Sequence, residues 1–233
     1  MRLTSIILIG VLTGQTPDKY EALPALFQDW REFENPPLLN GAPDYTERQF
    51  RKRHRSFRAL KKRLAAIDTA EWSASKKVDW QIVEAEMNGY DFNHRVLKPW
   101  VRDPAFYDTV WMNRSDVPAH EGPTNHAVVE VWTYEFPLDD DSKARLVSEL
   151  AVIPPLMAQA RKNLTGNARD LWVTGIRDMR SQMRELDQIL AMAGGNVDDA
   201  LHAAVREAKT ATETFVAFLE NASASKTGPS GIG

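Results

Sequence analysis

Six apolar or small residues between positions 78 and 96 step by four, three, four, three and four: Val78, Ile82, Ala85, Gly89, Phe92 and Val96. Only a helix returns side chains to one face at that interval, because a turn takes 3.6 residues. Trp80 and Val83 widen the stripe, so the pattern predicts a central helix, N-capped by Ser73 or Ser75 and running to about Leu97. Glycine costs about 1 kcal/mol against alanine inside a helix. Gly89 on the stripe therefore predicts close approach of a neighbouring helix.

The same period recurs along the chain. Tyr20, Leu23, Phe27, Trp30 and Phe33 form a first stripe, with a start at Thr16-Pro17-Asp18, a restart or kink at Pro24 and an end at Asn35-Pro36-Pro37. Asn40 to Pro43 reads as a loop. Asp44 with Glu47 has capping-box spacing and predicts a helix to about Ile67, on the stripe Phe50, Phe57, Leu60, Leu64 and Ile67. Asp139 or Asp140 opens another helix, interrupted at Pro154-Pro155 and continued to Thr165-Gly166, with Arg145 and Glu149 spaced to pair. Asn167 opens a further helix, closed by Gly194-Gly195, and Asn196 opens the last. Between these, Pro99, Pro104, Pro118, Pro123 and Pro137 break up residues 98–138. There Ala127 to Phe136 fits a short strand or a buried helical turn. The expected fold is mainly all-α: a bundle of about six long, partly kinked antiparallel helices over residues 16–220, with an irregular proline-rich region at about 98–138. Residues 221–233 are rich in Ser, Ala, Gly and Pro and read as a loose tail.

Composition narrows the function classes. The chain has 233 residues, of which 43% are hydrophobic and 26% charged, which suits a globular core and excludes general disorder. The absence of cysteine removes disulfide scaffolds, cysteine-ligated zinc and thiol catalysis together. Seven tryptophans suggest a large core or a broad cleft. Arg48, Arg51, Lys52, Arg53, Arg55, Arg58, Lys61, Lys62 and Arg63 place nine cations in sixteen residues of one helix. A net charge of -3 and the lack of an aromatic residue on the basic side make this a solvated face rather than a nucleic-acid or membrane site. At the N-terminus, Arg2 precedes the apolar run Leu3 to Leu12, too short to span a bilayer. Residues 1–15 read as a short secretory signal and export as the expected destination, with a cytosolic first element as the alternative.

Catalytic signatures are mostly missing. The sequence contains no H-E-x-x-H, phosphate-binding glycine loop or G-x-S-x-G elbow. One cluster, His120, Glu121 and His126, has the right ligand types for zinc, but Gly122-Pro123 prevents the helix that a zinc-protease pair needs. The simpler reading is a rigid loop that bonds its own backbone or lines a cleft built by other residues. His54 and His202 read as surface or interfacial, and His94 as a satisfied core histidine.

Several segments resemble a bacterial family called domain-of-unknown-function family 885. They are Leu26 to Phe33, Ala85 to Phe92, Leu97 to Tyr107, Asp116 to Pro123, Ile153 to Leu156 with Ala160 to Trp172, and Ser225 to Gly233. The resemblance implies a helical protein similar to zinc metallopeptidases, more than twice as long as this chain, with a His-Glu…Pro-Gly-His motif in its C-terminal half. No position here matches that motif in context, so no catalytic residue is assigned and no metal or cofactor is expected in this chain. What the resemblance implies is an N-terminal helical half of a hydrolase whose zinc and peptide chemistry lie elsewhere, inactive alone and able to self-associate through exposed helix faces. A free-standing helical binding module is the competing expectation.

Overall fold

The computed structural model describes residues 19–114 and 125–232. Residues 1–15 and the Thr16-Pro17-Asp18 start lie outside them. The architecture is mainly all-α. A 3-10 turn, Lys19–Glu21, leads into α1 (Ala22–Glu34), followed by α2 (Glu47–Ala65) and α3 (Ala74–Phe92). After a short α4 (Pro99–Arg102) come α5 (Asp140–Leu150), α6 (Ile153–Asn163), α7 (Arg169–Ala193) and α8 (Asp199–Ser223). Counting α5 and α6 as one helix broken at the prolines, these are the six long elements the periodicity predicts. Pro154 and Pro155 occupy the first turn of α6, where a missing N–H costs no hydrogen bond.

Two cores divide the structure. The smaller joins α1, α2 and α3 through Leu23, Leu26, Trp30, Phe57, Leu60, Leu64, Val83 and Met87. The larger is built on α5 to α8, where α8 lies along α7 and also packs on α5 and α6. Gly175 on α7 is a true close-approach position. A Cβ there would stand 2.6 Å from Pro104 Cβ and 2.9 Å from the Ala105 nitrogen. That contact seats the 3-10 turn Pro104–Tyr107 against α7.

The described residues of the 98–138 span are irregular, as Pro99, Pro104 and Pro137 require. Ahead of α2, Leu38–Leu39 (β1) and Ala42–Pro43 (β2) form a hairpin closed by Asn40 and Gly41, both with positive φ. Asparagine and glycine tolerate that left-handed conformation, and a two-residue hairpin turn demands it. Further on, Val110–Trp111 (β3) pairs in parallel with Val129–Glu130 (β4), and a 3-10 turn, Val131–Thr133, follows directly. The segment Ala127 to Phe136 thus contains both a short strand and a helical turn.

Four expectations need correction. The Val78 to Val96 stripe is not central: every residue of it is exposed, Val78 at 50% and Ile82 at 52%. Helix α3 buries the opposite face, through Val83 and Met87. Apolar periodicity identifies the helix but cannot say which of two apolar faces finds a partner. Gly89 likewise meets no close neighbour, and a Cβ there would have no heavy atom within 4 Å. The N-cap of α2 is Thr46, whose hydroxyl accepts from the Gln49 N–H, rather than Asp44, which instead accepts from the Thr46 N–H. Finally, residues past α8 are tied down. Gly228 exchanges backbone hydrogen bonds with Asn167 and Arg169, and the Ser230 hydroxyl accepts from the Asp170 N–H at 2.8 Å. The exposed stripe makes a direct prediction. Ile82→Glu should cost no more than about 0.5 kcal/mol, as surface substitutions do. A loss above about 2 kcal/mol in urea unfolding would return Ile82 to the core.

Candidate functional site

A cleft of about 450 Å³ opens between the two cores. Its outer wall comes from α1 and α3, through Arg31, Glu34, Ala85, Glu86, Gly89 and Tyr90. Its inner wall and floor carry Tyr45, Phe50, Arg53, His94, Trp100 and Phe106. The exposed α3 row adjoins the mouth, since Ala85 and Gly89 belong to both.

Local structure explains how each group is placed. Helix α3 continues into one π-helical turn, Asn93–Leu97, and the chain reverses at Lys98, with φ 45°, into Pro99 at the start of α4. The π turn carries Asn93 and His94 on to the cleft, and α4 brings in Trp100. Phe50 lies flat on Trp100, ring centroids 3.6 Å apart.

Tyr45 is held from three sides. The Gln159 carboxamide accepts from the Tyr45 N–H at 3.1 Å and donates to the Pro43 carbonyl at 3.0 Å. The Asn163 amide donates to the Tyr45 carbonyl at 2.9 Å. The Tyr45 hydroxyl accepts from the His126 N–H at 2.6 Å and shares a second hydrogen bond with His126 Nδ1 at 3.0 Å. Burial pushes the Tyr45 phenol far above its usual range.

The charges of the cleft are unequally partnered. Arg31 bridges Glu34 at 2.8 Å and Glu86 at 3.5 Å, and Glu86 also accepts from the Trp30 indole at 3.2 Å. Arg53 donates from Nη2 to the Phe33 and Glu34 carbonyls, the last turn of α1, and lies over the Phe33 ring at 4.8 Å. No carboxylate among the described residues pairs with it. His94 stacks on His54, rings 4.7 Å apart and 4° from parallel, and the Nδ1 atoms of both are buried without a hydrogen-bond partner. Burial first, then the His54 charge, lowers His94 to about 4, so its imidazole is neutral at pH 7.

Of the histidines singled out from sequence, His126 reaches the cleft, while His120 and Glu121 lie outside the described residues. His94 is not a satisfied core residue, and His202 is exposed on α8. Zinc does not fit the donors that are described. No group of three His, Asp or Glu among them could hold a metal ion. The stacked rings of His54 and His94 carry their lone pairs in parallel planes, which cannot converge on one ion. On the basic face of α2, Arg51 pairs with Glu47 and Arg63 with Asp29, and Arg48, Lys52, Arg55 and Arg58 form no ion pair among the described residues.

Sequence reasoning missed Arg53 as a cleft residue. The signal was present: Phe50, Arg53, Phe57, Leu60 and Leu64 step by three, four, three and four, so Arg53 shares the inward face rather than the basic one.

No family model matches the sequence, and no curated protein matches it. One solved structure, from Shewanella oneidensis and described as a "putative lipoprotein of unknown function", is similar at a TM-score of 0.64 and 14% sequence identity. The match covers 88% of this chain and 38% of that one. At that identity the likeness concerns the fold alone. No helix among the described residues is long and apolar enough to cross a membrane.

Proposed function

We propose that this chain is the helical N-terminal half of a metallopeptidase-like hydrolase, where it binds substrate as one wall of a cleft and performs no chemistry alone. The observation that carries this reading is the aromatic-walled cleft between the two cores, whose mouth runs on to the unpartnered apolar face of α3. An apolar helix face of that length is what a further part of a longer fold would cover. The segments that resemble family 885 agree with it, as does a similar fold found as 38% of a longer chain. Export through residues 1–15 belongs to the same proposal, and a lipoprotein as the similar structure is in keeping with it.

The second reading, a free-standing binding module, is favoured by the fact that this chain alone lines the cleft. Both readings give the isolated chain a ligand and no activity. The test is metal analysis and peptide cleavage on purified chain, with peptide binding followed by tryptophan fluorescence. The expected result is no stoichiometric zinc, no cleavage and a saturable fluorescence change. Cleavage by the isolated chain would overturn the half-enzyme reading. A lone monodisperse monomer whose α3 face takes no partner would favour the free-standing module.

A further inference from the structure

We propose that the Arg53 guanidinium anchors a carboxylate on the ligand, so that the cleft takes small molecules or chain ends in which a carboxylate is joined to an apolar or aromatic group. The inference rests on the cleft being a ligand site and adds the chemistry it selects.

Arg53 is only 9% exposed. Its hydrogen bonds to the Phe33 and Glu34 carbonyls both come from Nη2. The remaining donors, on Nη1 and Nε, have no hydrogen-bond partner among the described residues. Neither is among the buried atoms that lack a partner, so both donors are open to the cleft, where a carboxylate can replace their water with charge-assisted bonds that match the planar guanidinium. The other charges around the cleft cannot do so. Glu34 and Glu86 are engaged with Arg31, and Asp44 Oδ1 takes the Thr46 N–H.

Two more polar atoms stand without a partner nearby, the Tyr90 hydroxyl and His94 Nδ1, both buried. Arg53 lies close enough to Tyr90, Tyr45 and His94 for its charge to act on all three. Burial pushes the Tyr90 phenol up, so it keeps its proton and can donate to a carboxylate oxygen. The walls set the rest of the ligand. Phe50 stacked on Trp100, with Phe106 edge-on to Tyr45 at 5.0 Å, makes an aromatic slot beside the cation. Around the cleft Glu34, Asp44 and Glu86 outnumber Arg31 and Arg53. That balance repels a second negative charge, which favours a carboxylate over a phosphate.

The probes are 3-phenylpropanoate, its uncharged amide and phenyl phosphate, titrated calorimetrically into the parent chain, Tyr90→Phe and Arg53→Lys. The acid should bind about tenfold or more tightly than the amide, as expected of a charge-assisted hydrogen bond. Phenyl phosphate should bind more weakly than the acid. Tyr90→Phe should weaken the acid severalfold and change the melting temperature little, because that hydroxyl faces the Arg53 guanidinium without a well-formed hydrogen bond. Arg53→Lys should bring the acid close to the amide, and its melting temperature reports whether the α1 end still holds. Equal binding of acid and amide, or tighter binding of phenyl phosphate, would overturn the anchor while leaving the cleft as a binding site. Binding of none of the probes by folded parent chain would overturn the anchor and weaken the cleft reading with it.

Discussion

Replacing Trp30 by alanine should melt the small lobe and leave the large core standing. Trp30 is fully buried at the centre of the smaller core, stacked on Phe33 at 5.5 Å and edge-on to Tyr90 at 5.5 Å. Removing an indole from such a site costs about 3–5 kcal/mol in lost burial and cavity. Among the described residues the smaller core contains eight buried hydrophobic residues, against twenty-eight in the larger. A loss of that size therefore falls on the less stable unit, and sub-global unfolding follows such boundaries. The variant also takes the indole donor from Glu86 and the seat from Tyr90, so the outer wall of the cleft goes with it. Hydrogen exchange read by mass spectrometry should show α1, α2 and α3 losing protection while α7 and α8 keep theirs. Equal loss in all five helices would mean that the two cores unfold as one.

The second large effect depends on pH. Asp108 follows the 3-10 turn that docks on α7, and its Oδ1 is buried with no hydrogen-bond partner. Burial, then the Glu185 and Asp178 carboxylates, raise its pKa to about 7, against the Thr109 and Val110 N–H groups, which lower it. An acid whose pKa is raised on folding binds its proton more tightly in the native state. Its contribution is full below the unfolded value near 4 and is lost as pH rises to about 7. Holding the proton that much more tightly is worth about 4 kcal/mol. Asp108→Asn is neutral at every pH and still offers an acceptor oxygen. The variant should match its parent at pH 4 and exceed it above pH 7 by up to that amount, or about 10 °C in melting temperature. Melting curves at about pH 4.5 and pH 8, either side of the titration, decide it. A gain of equal size at both would assign the effect to packing rather than to the proton.

Much of the fold was legible because helices announce themselves locally. The Ser73 cap, the end of the π turn at Leu97, the break at Pro154-Pro155 and the Arg145–Glu149 pair at 3.8 Å all lie where spacing puts them. The hairpin at Asn40-Gly41 was equally readable, since that dipeptide between apolar residues is the strongest short-range turn signal, yet it passes for a loop when its strands are only two residues long. The cleft was not legible. Tyr45, Arg53, Tyr90 and Trp100 come from four segments that only packing brings together, and none carries a motif.

What the sequence determined by itself was the set of elements: helical period, caps and prolines act over one or two turns, within reach of neighbours along the chain. What the tertiary structure decided was which faces meet. Helix α3 has apolar residues on two sides, and burial of Val83 and Met87 leaves Val78 to Val96 outside. Helix α2 carries nine cations, and one of them, Arg53, turns inward to close the end of α1 and face the cleft. Both choices depend on the energy of contacts between segments distant in sequence, and that energy has no local signature.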